Sequence, residues 1–178
     1  MTNATTASAT TINNNELKKE LADVYDGFIA ELNLVDDSLI NIRAHENAWT
    51  PGQITDHIIR STGQVPDEQV EPAKRPINQH VAQLAAIFLN FETKMQSPDF
   101  VLPGDGPFEK KKLIDDLAEI KHGHLALIDS KDLSQLCTTF EFPFIGFLTR
   151  LEWIKFITFH TQRHLRQLKN CRDEITHK

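Results

Sequence analysis

Apolar residues recur at steps of three and four along most of the chain, and the first run is the longest. Leu17, Leu21, Val24, Phe28, Leu32, Val35 and Leu39 describe one amphipathic helix from Glu16 to about Ile42, with the asparagines at 13–15 as its cap. A second helix opens at Thr50, where Thr as N-cap, Pro51 at the first helical position and Gln53 three residues on form a capping box. It is predicted to run to about Gly63, with Gln53, Ile54, His57 and Ile58 on one face. Pro66, Pro72 and Pro76 make Val65 to Ile77 a long connection, followed by a shorter helix from about Asn78 to Phe91 and a proline-rich stretch from Pro98 to Pro107. A clearer helix spans Phe108 to about Asp129, its inner face carrying Leu113, Leu117, Ile120, His124 or Leu125, and Ile128. After the aromatic approach Phe140 to Gly146, the last helix is expected from about Phe147 to Asp173.

With no internal repeat and no second apolar block, four main helices with long connections predict a single all-α four-helix bundle over residues 15–178. Residues 1–14, rich in Thr, Asn, Ala and Ser, read as a disordered tail without the charge or apolar core of a secretory signal. The 178 residues match the length of one ordinary domain.

Composition narrows the function classes. A net charge of -6 leaves no basic field for nucleic acid or anionic lipid. The longest apolar stretches, Leu84 to Leu89 and Phe142 to Leu148, fall far short of the roughly 20 residues a membrane helix requires. Two cysteines, Cys137 and Cys171, stand far apart without a CxxC partner, so neither a disulfide framework nor a thiolate zinc site is expected. A reducing cytoplasm fits that usage.

Histidine spacing carries the chemistry. His160 and His164 are four residues apart on the last helix, which stacks both imidazoles on one face at a separation suited to a single transition-metal ion. Leu148 or Trp153, Phe156, His160, His164 and Gln167 fall on the same stripe, so the pair faces inward. His57, inward on the second helix, is the best third ligand. Thr161 stands where a metalloprotease HExxH motif needs its glutamate base, which excludes that class. His122 and His124 are two apart and point in different directions, while His45, His80 and His177 lie in or near loops and termini and are expected to be exposed.

Two stretches, Trp49-Thr50-Pro51-Gly52-Gln53-Ile54-Thr55-Asp56-His57 and Leu151-Glu152-Trp153-Ile154-Lys155-Phe156 with His160-Thr161-Gln162-Arg163-His164-Leu165-Arg166-Gln167, resemble the two signature segments of the DinB-like (YfiT-like) metalloenzymes. The resemblance extends from about Glu16 to Lys169 and implies a DinB/YfiT-like four-helix bundle. It implies that His57, His160 and His164 bind a divalent metal, nickel or zinc, and that the protein is a homodimer, for which the 11 phenylalanines offer interface material. Members with assigned roles include bacillithiol S-transferases and mycothiol-dependent maleylpyruvate isomerase. The segment from Val65 to Pro107 carries no family motif tied to a substrate.

Three neutral imidazoles would leave a metal ion its full charge and an open position. Such an ion can acidify a bound water, giving a hydrolase, or hold a substrate thiol as its thiolate, giving an S-transferase acting on a small molecule. No general base is fixed near the histidines by spacing, which favours the thiol route. Gln53 and Gln167 share faces with the histidines and are candidates to orient a water or substrate, with helix capping an equal reading. Asp56 and Glu152 are candidate acceptors for a ligand imidazole. Cys137 lacks a paired base and reads as a buried, idle thiol. The alternative to an enzyme is a non-catalytic binding or stress-response bundle; the long loops favour the enzyme.

Overall fold

The computed structural model describes residues 12–177. Five helices dominate it: α1 (Asn14–Asn33), α2 (Pro51–Thr62), α3 (Val81–Phe88), α4 (Lys110–Ser130) and α5 (Arg150–Thr176). A two-stranded antiparallel ribbon, β1 (Val70–Pro72) with β2 (Gln135–Cys137), joins two connections, pairing Val70 with Cys137 and Pro72 with Gln135. Of the expected tail, residues 1–11 lie outside the described residues; Asn14 already belongs to α1, whose N-cap Asn13 accepts from the Glu16 N–H.

α1 and α2 each pack chiefly on both α4 and α5, which puts α1 diagonally across the bundle from α2, while the short α3 lies against α5. Leu21, Tyr25, Phe28 and Leu32 of α1 are fully buried against Ile54 and Ile58 of α2, Leu117 of α4 and Ile154 and Ile157 of α5 within one core. Burial of each such side chain contributes about 1.5–3 kcal/mol. Part of the core's polar centre is satisfied internally: the Tyr25 hydroxyl pairs with Thr62 Oγ1 at 2.9 Å, and His124 Nε2 donates to the Thr62 carbonyl at 2.7 Å. His124, not Leu125, is thus the inward residue of that turn, and His122 is exposed.

α1 ends nine residues before the position that periodicity predicts. Asp36 Oδ1 accepts from both the backbone N–H and the hydroxyl of Ser38, and Asp36 caps a 3-10 turn over Asp37–Leu39. A short side chain that satisfies the backbone locally competes with helix continuation. Val35 and Ile40 still reach the core because the chain turns back over the bundle end, while Leu34 is left exposed. The capping box at Thr50 and Gln53 forms as the sequence predicts. Gly52 behind it is required: a Cβ there would lie 2.7 Å from the Phe108 ring.

α5 starts later than expected, at a second capping box between Thr149 and Glu152. Glu152 is fully buried; beyond its cap contact it accepts two bonds from the Arg75 guanidinium, at 2.8 and 2.7 Å, and one from the His80 N–H at 2.7 Å. This pair docks the Ala73–His80 connection onto the start of α5. His80 is consequently half-buried, whereas His45 and His177 are exposed. Arg150, also buried, donates to Asp67 at 2.8 Å and to the Asp132 carbonyl at 2.9 Å, tying in the ribbon's flanks. Among the described residues no helix is long and apolar enough to cross a membrane.

Candidate metal centre

His57 projects from the second turn of α2, and His160 and His164 from consecutive turns of α5, the helix packed beside it. All three are buried, and one ring nitrogen from each lies within 4.8 Å of the others. Among the described residues, these three are the one group of three or more His, Cys, Asp and Glu side chains close enough to share an ion, and no carboxylate belongs to it.

The outer bonds of two rings set their tautomers. His57 Nδ1 sits 2.8 Å from the Val101 carbonyl and must donate to it, which leaves Nε2 as a lone pair facing the other rings. His164 Nδ1 likewise donates to Gln167 Oε1 at 2.6 Å. Nε2 of His57 and Nε2 of His160 are 3.1 Å apart. Nitrogens bound to one ion at about 2.0–2.1 Å stand roughly 2.9–3.4 Å apart, so the spacing fits a shared cation. His160 Nδ1 is buried without a partner.

Burial keeps the three rings neutral, as metal ligation requires. Desolvation lowers the pKa of His57 below the ordinary histidine value, and that of His160 far below it. His164 is pushed down to about 3, first by burial and then by His57 nearby. Trp49 completes the enclosure, its ring centroid 5.0 Å from that of His57 and stacked on His164 at 6.4 Å.

The histidines open onto a cleft of about 1400 Å³. The Thr93–Leu102 segment, the Phe140–Phe144 turn and Trp49 contribute to its walls. The Val65–Pro107 region, silent in the sequence, therefore builds the cleft. Arg163 holds part of it, donating to the Asn90 carbonyl at 2.7 Å and to the Thr93 carbonyl.

The accessory residues differ from expectation. Gln167 does contact a ligand candidate. Gln53 instead caps α2 and donates to the Gly104 carbonyl at 3.2 Å, and Asp56 accepts from the Gly104 N–H at 2.8 Å and from Arg60 at 2.7 Å. Both act at one remove, by fixing the loop whose Val101 carbonyl orients His57. Glu152 binds Arg75 and the His80 backbone and touches no imidazole. A carbonyl as the partner of His57 is invisible in a sequence, because every residue carries one. The Thr149-to-Glu152 capping signal, by contrast, was readable. Cys137 is fully buried, and burial pushes its thiol up to about 12, which leaves it inert.

Replacing Gln167 by Leu removes the acceptor that fixes the His164 tautomer. Metal affinity, read by competition with a chromophoric chelator, is expected to drop by about 10- to 100-fold while the fold persists.

The bundle and its buried, carboxylate-free histidine trio define a class: a helical scaffold whose core can hold a metal ion in reach of a deep cleft. The DinB superfamily matches residues 20–168, most of the chain, and the protein belongs to that superfamily. Among curated proteins and solved structures there is no significant match.

Proposed function

We propose that the protein is a metal-dependent enzyme in which His57, His160 and His164 hold one nickel or zinc ion, and that it joins a small thiol, through its sulfur, to a second small molecule. A divalent ion bound there supplies Lewis acidity that acidifies a thiol at neutral pH. The chain's own residues do the rest. Val101 and Gln167 orient two of the imidazoles, Trp49 excludes water beside them, and the apolar walls desolvate the reactants. In the transfer, a carbon–sulfur bond forms as the thiol proton passes to solvent and the acceptor's leaving group departs with its electron pair.

The observation that carries this reading is a neutral three-nitrogen centre with no carboxylate bonded to it, facing a cleft of about 1400 Å³. Cleft volumes of about 300–1000 Å³ suffice for one ligand, so two reactants have room here. The same ion would acidify a bound water and so support hydrolysis; room for two reactants in the cleft is what favours transfer. The same reading has the enzyme working as a homodimer in a reducing cytoplasm, with exposed Phe100 and Phe144 as interface material; sedimentation at several concentrations tests the dimer.

The decisive test is elemental analysis of untagged protein beside His160→Ala. About one nickel or zinc per wild-type chain, lost in the variant, followed by metal-dependent consumption of a low-molecular-weight thiol with an electrophile, supports the assignment. A wild-type protein that takes up no added metal refutes it and leaves a non-catalytic bundle.

A further inference from the structure

The cleft in front of the histidines carries four cations in its lining, Arg60, Lys94, Arg163 and Arg166, against three acids, Glu68, Asp99 and Glu174, in a chain whose net charge is -6. Two of the four are committed. Arg60 pairs with Asp56 at 2.7 Å, and Arg163 donates to the Asn90 carbonyl at 2.7 Å and to the Thr93 carbonyl. The other two are free: among the described residues Lys94 and Arg166 form no ion pair and donate no hydrogen bond, although both line the cleft and are exposed. They are also held on one side of it. Arg163 fastens the chain at Asn90 and Thr93 to α5, which brings Lys94, the next residue, to that helix, and Arg166 follows Arg163 by one turn. The Arg166 guanidinium lies 4.7 Å from the centre of the Phe91 ring, and Phe91 belongs to the same fastened stretch. A guanidinium held by an aromatic face keeps its N–H fork free for a planar oxyanion.

We propose that Lys94 and Arg166 form an oxyanion-binding rim at the mouth of the cleft, and that the acceptor substrate is an organic molecule bearing a carboxylate or a phosphate. The three histidines are buried and the two cations exposed, so a group bound at the rim belongs to the reactant that lies outward of the ion. Exposed Met95 and Phe100, further along the same stretch of the lining, offer apolar surface to the rest of that molecule. The assignment as acceptor rests on the transferase reading; oxyanion binding itself requires no metal. Each exposed charge pair, screened by water and salt, contributes up to about fivefold in affinity.

1-Naphthaleneacetate and its neutral amide, whose head groups differ in charge and little in size, test the rim by equilibrium dialysis against metal-stripped, full-length protein, with 1-naphthyl phosphate as a second anion. The better-bound anion is expected to exceed the amide by about tenfold in affinity, with the advantage shrinking as salt is raised. Whichever anion binds more tightly names the head group as carboxylate or phosphate. Lys94→Gln and Arg166→Gln, both at exposed positions, should each cut the advantage about threefold, and the double variant should erase it while amide binding persists. Lys74→Gln, which removes an exposed lysine outside the cleft lining, should leave it in place. Anions that bind no better than the amide, an advantage that survives the double variant, or an equal fall in Lys74→Gln overturns the proposal. Anion preference without thiol consumption would sink the transferase reading alone, and thiol consumption without anion preference would sink the rim alone.

Discussion

Metal-stripped protein is expected to lose stability steeply as the pH falls below about 6.5, the ordinary titration point of histidine. Four buried histidines, His57, His124, His160 and His164, have depressed pKa values, chiefly through desolvation. Above pH 6.5 they are neutral in both the folded and the unfolded chain and contribute no pH dependence. Below it the unfolded chain takes up protons that the folded chain refuses, so unfolding becomes more favourable. Each such histidine adds a slope of up to about 1.4 kcal/mol per pH unit, maintained until the pH approaches its folded value. Since His164 is held at about 3, its share persists through the accessible acid range. Together the four would remove several kcal/mol between pH 6.5 and 5, a large part of the ~5–15 kcal/mol typical of a domain. Urea unfolding curves at half-unit intervals measure it. A midpoint that stays level from pH 7 to 5 would mean the rings are solvated and the centre is not closed. Metal at about a hundred times its dissociation constant should return roughly 2.7 kcal/mol at neutral pH, through binding to the folded form alone.

Arg75→Ala is the substitution expected to cost most outside the centre. It leaves Glu152, fully buried, without the guanidinium that neutralises it, and breaking one side of a buried pair typically costs about 3–5 kcal/mol. Lysine should recover only part, since it offers a point charge in place of two parallel N–H donors. Arg75→Ala with Glu152→Gln should be milder than Arg75→Ala alone, because the stranded charge is gone. The damage should also reach the cleft: the pair fixes the Ala73–His80 connection that leads into α3, which carries Phe88 of the cleft lining. Chemical denaturation gives the stability change, and a loss under about 1 kcal/mol would show that this link is slack.

The histidine trio was legible in the sequence because helical periodicity is a local rule. Four-residue spacing on α5 and the Thr50–Pro51–Gln53 start of α2 fix which side of each helix a side chain occupies, and both sides turned out to face one point. The cap at Thr50 was legible for the same reason, whereas the equally local Thr149–Glu152 box went unread and α5 was expected to begin at about Phe147. Periodicity failed at Val35 and Leu39, where the Asp36–Ser38 contact ended α1 although the apolar spacing continued. The ribbon escaped notice because three-residue strands, one of them wholly exposed, leave no alternation to read.

What the sequence determined by itself was therefore the set of helices, their inward faces and the three histidines that meet between α2 and α5. Tertiary structure alone decided what surrounds that centre. The Val101 carbonyl, the Gly104 loop held by Gln53 and Asp56, the Arg75–Glu152 lock and the ring contact of Phe88 with Phe142 all bring together residues more than forty positions apart. Such contacts depend on how long connections close over a finished bundle. Neither backbone carbonyls nor irregular loops leave a periodic trace along the chain, so the centre could be read from the sequence and the cleft around it could not.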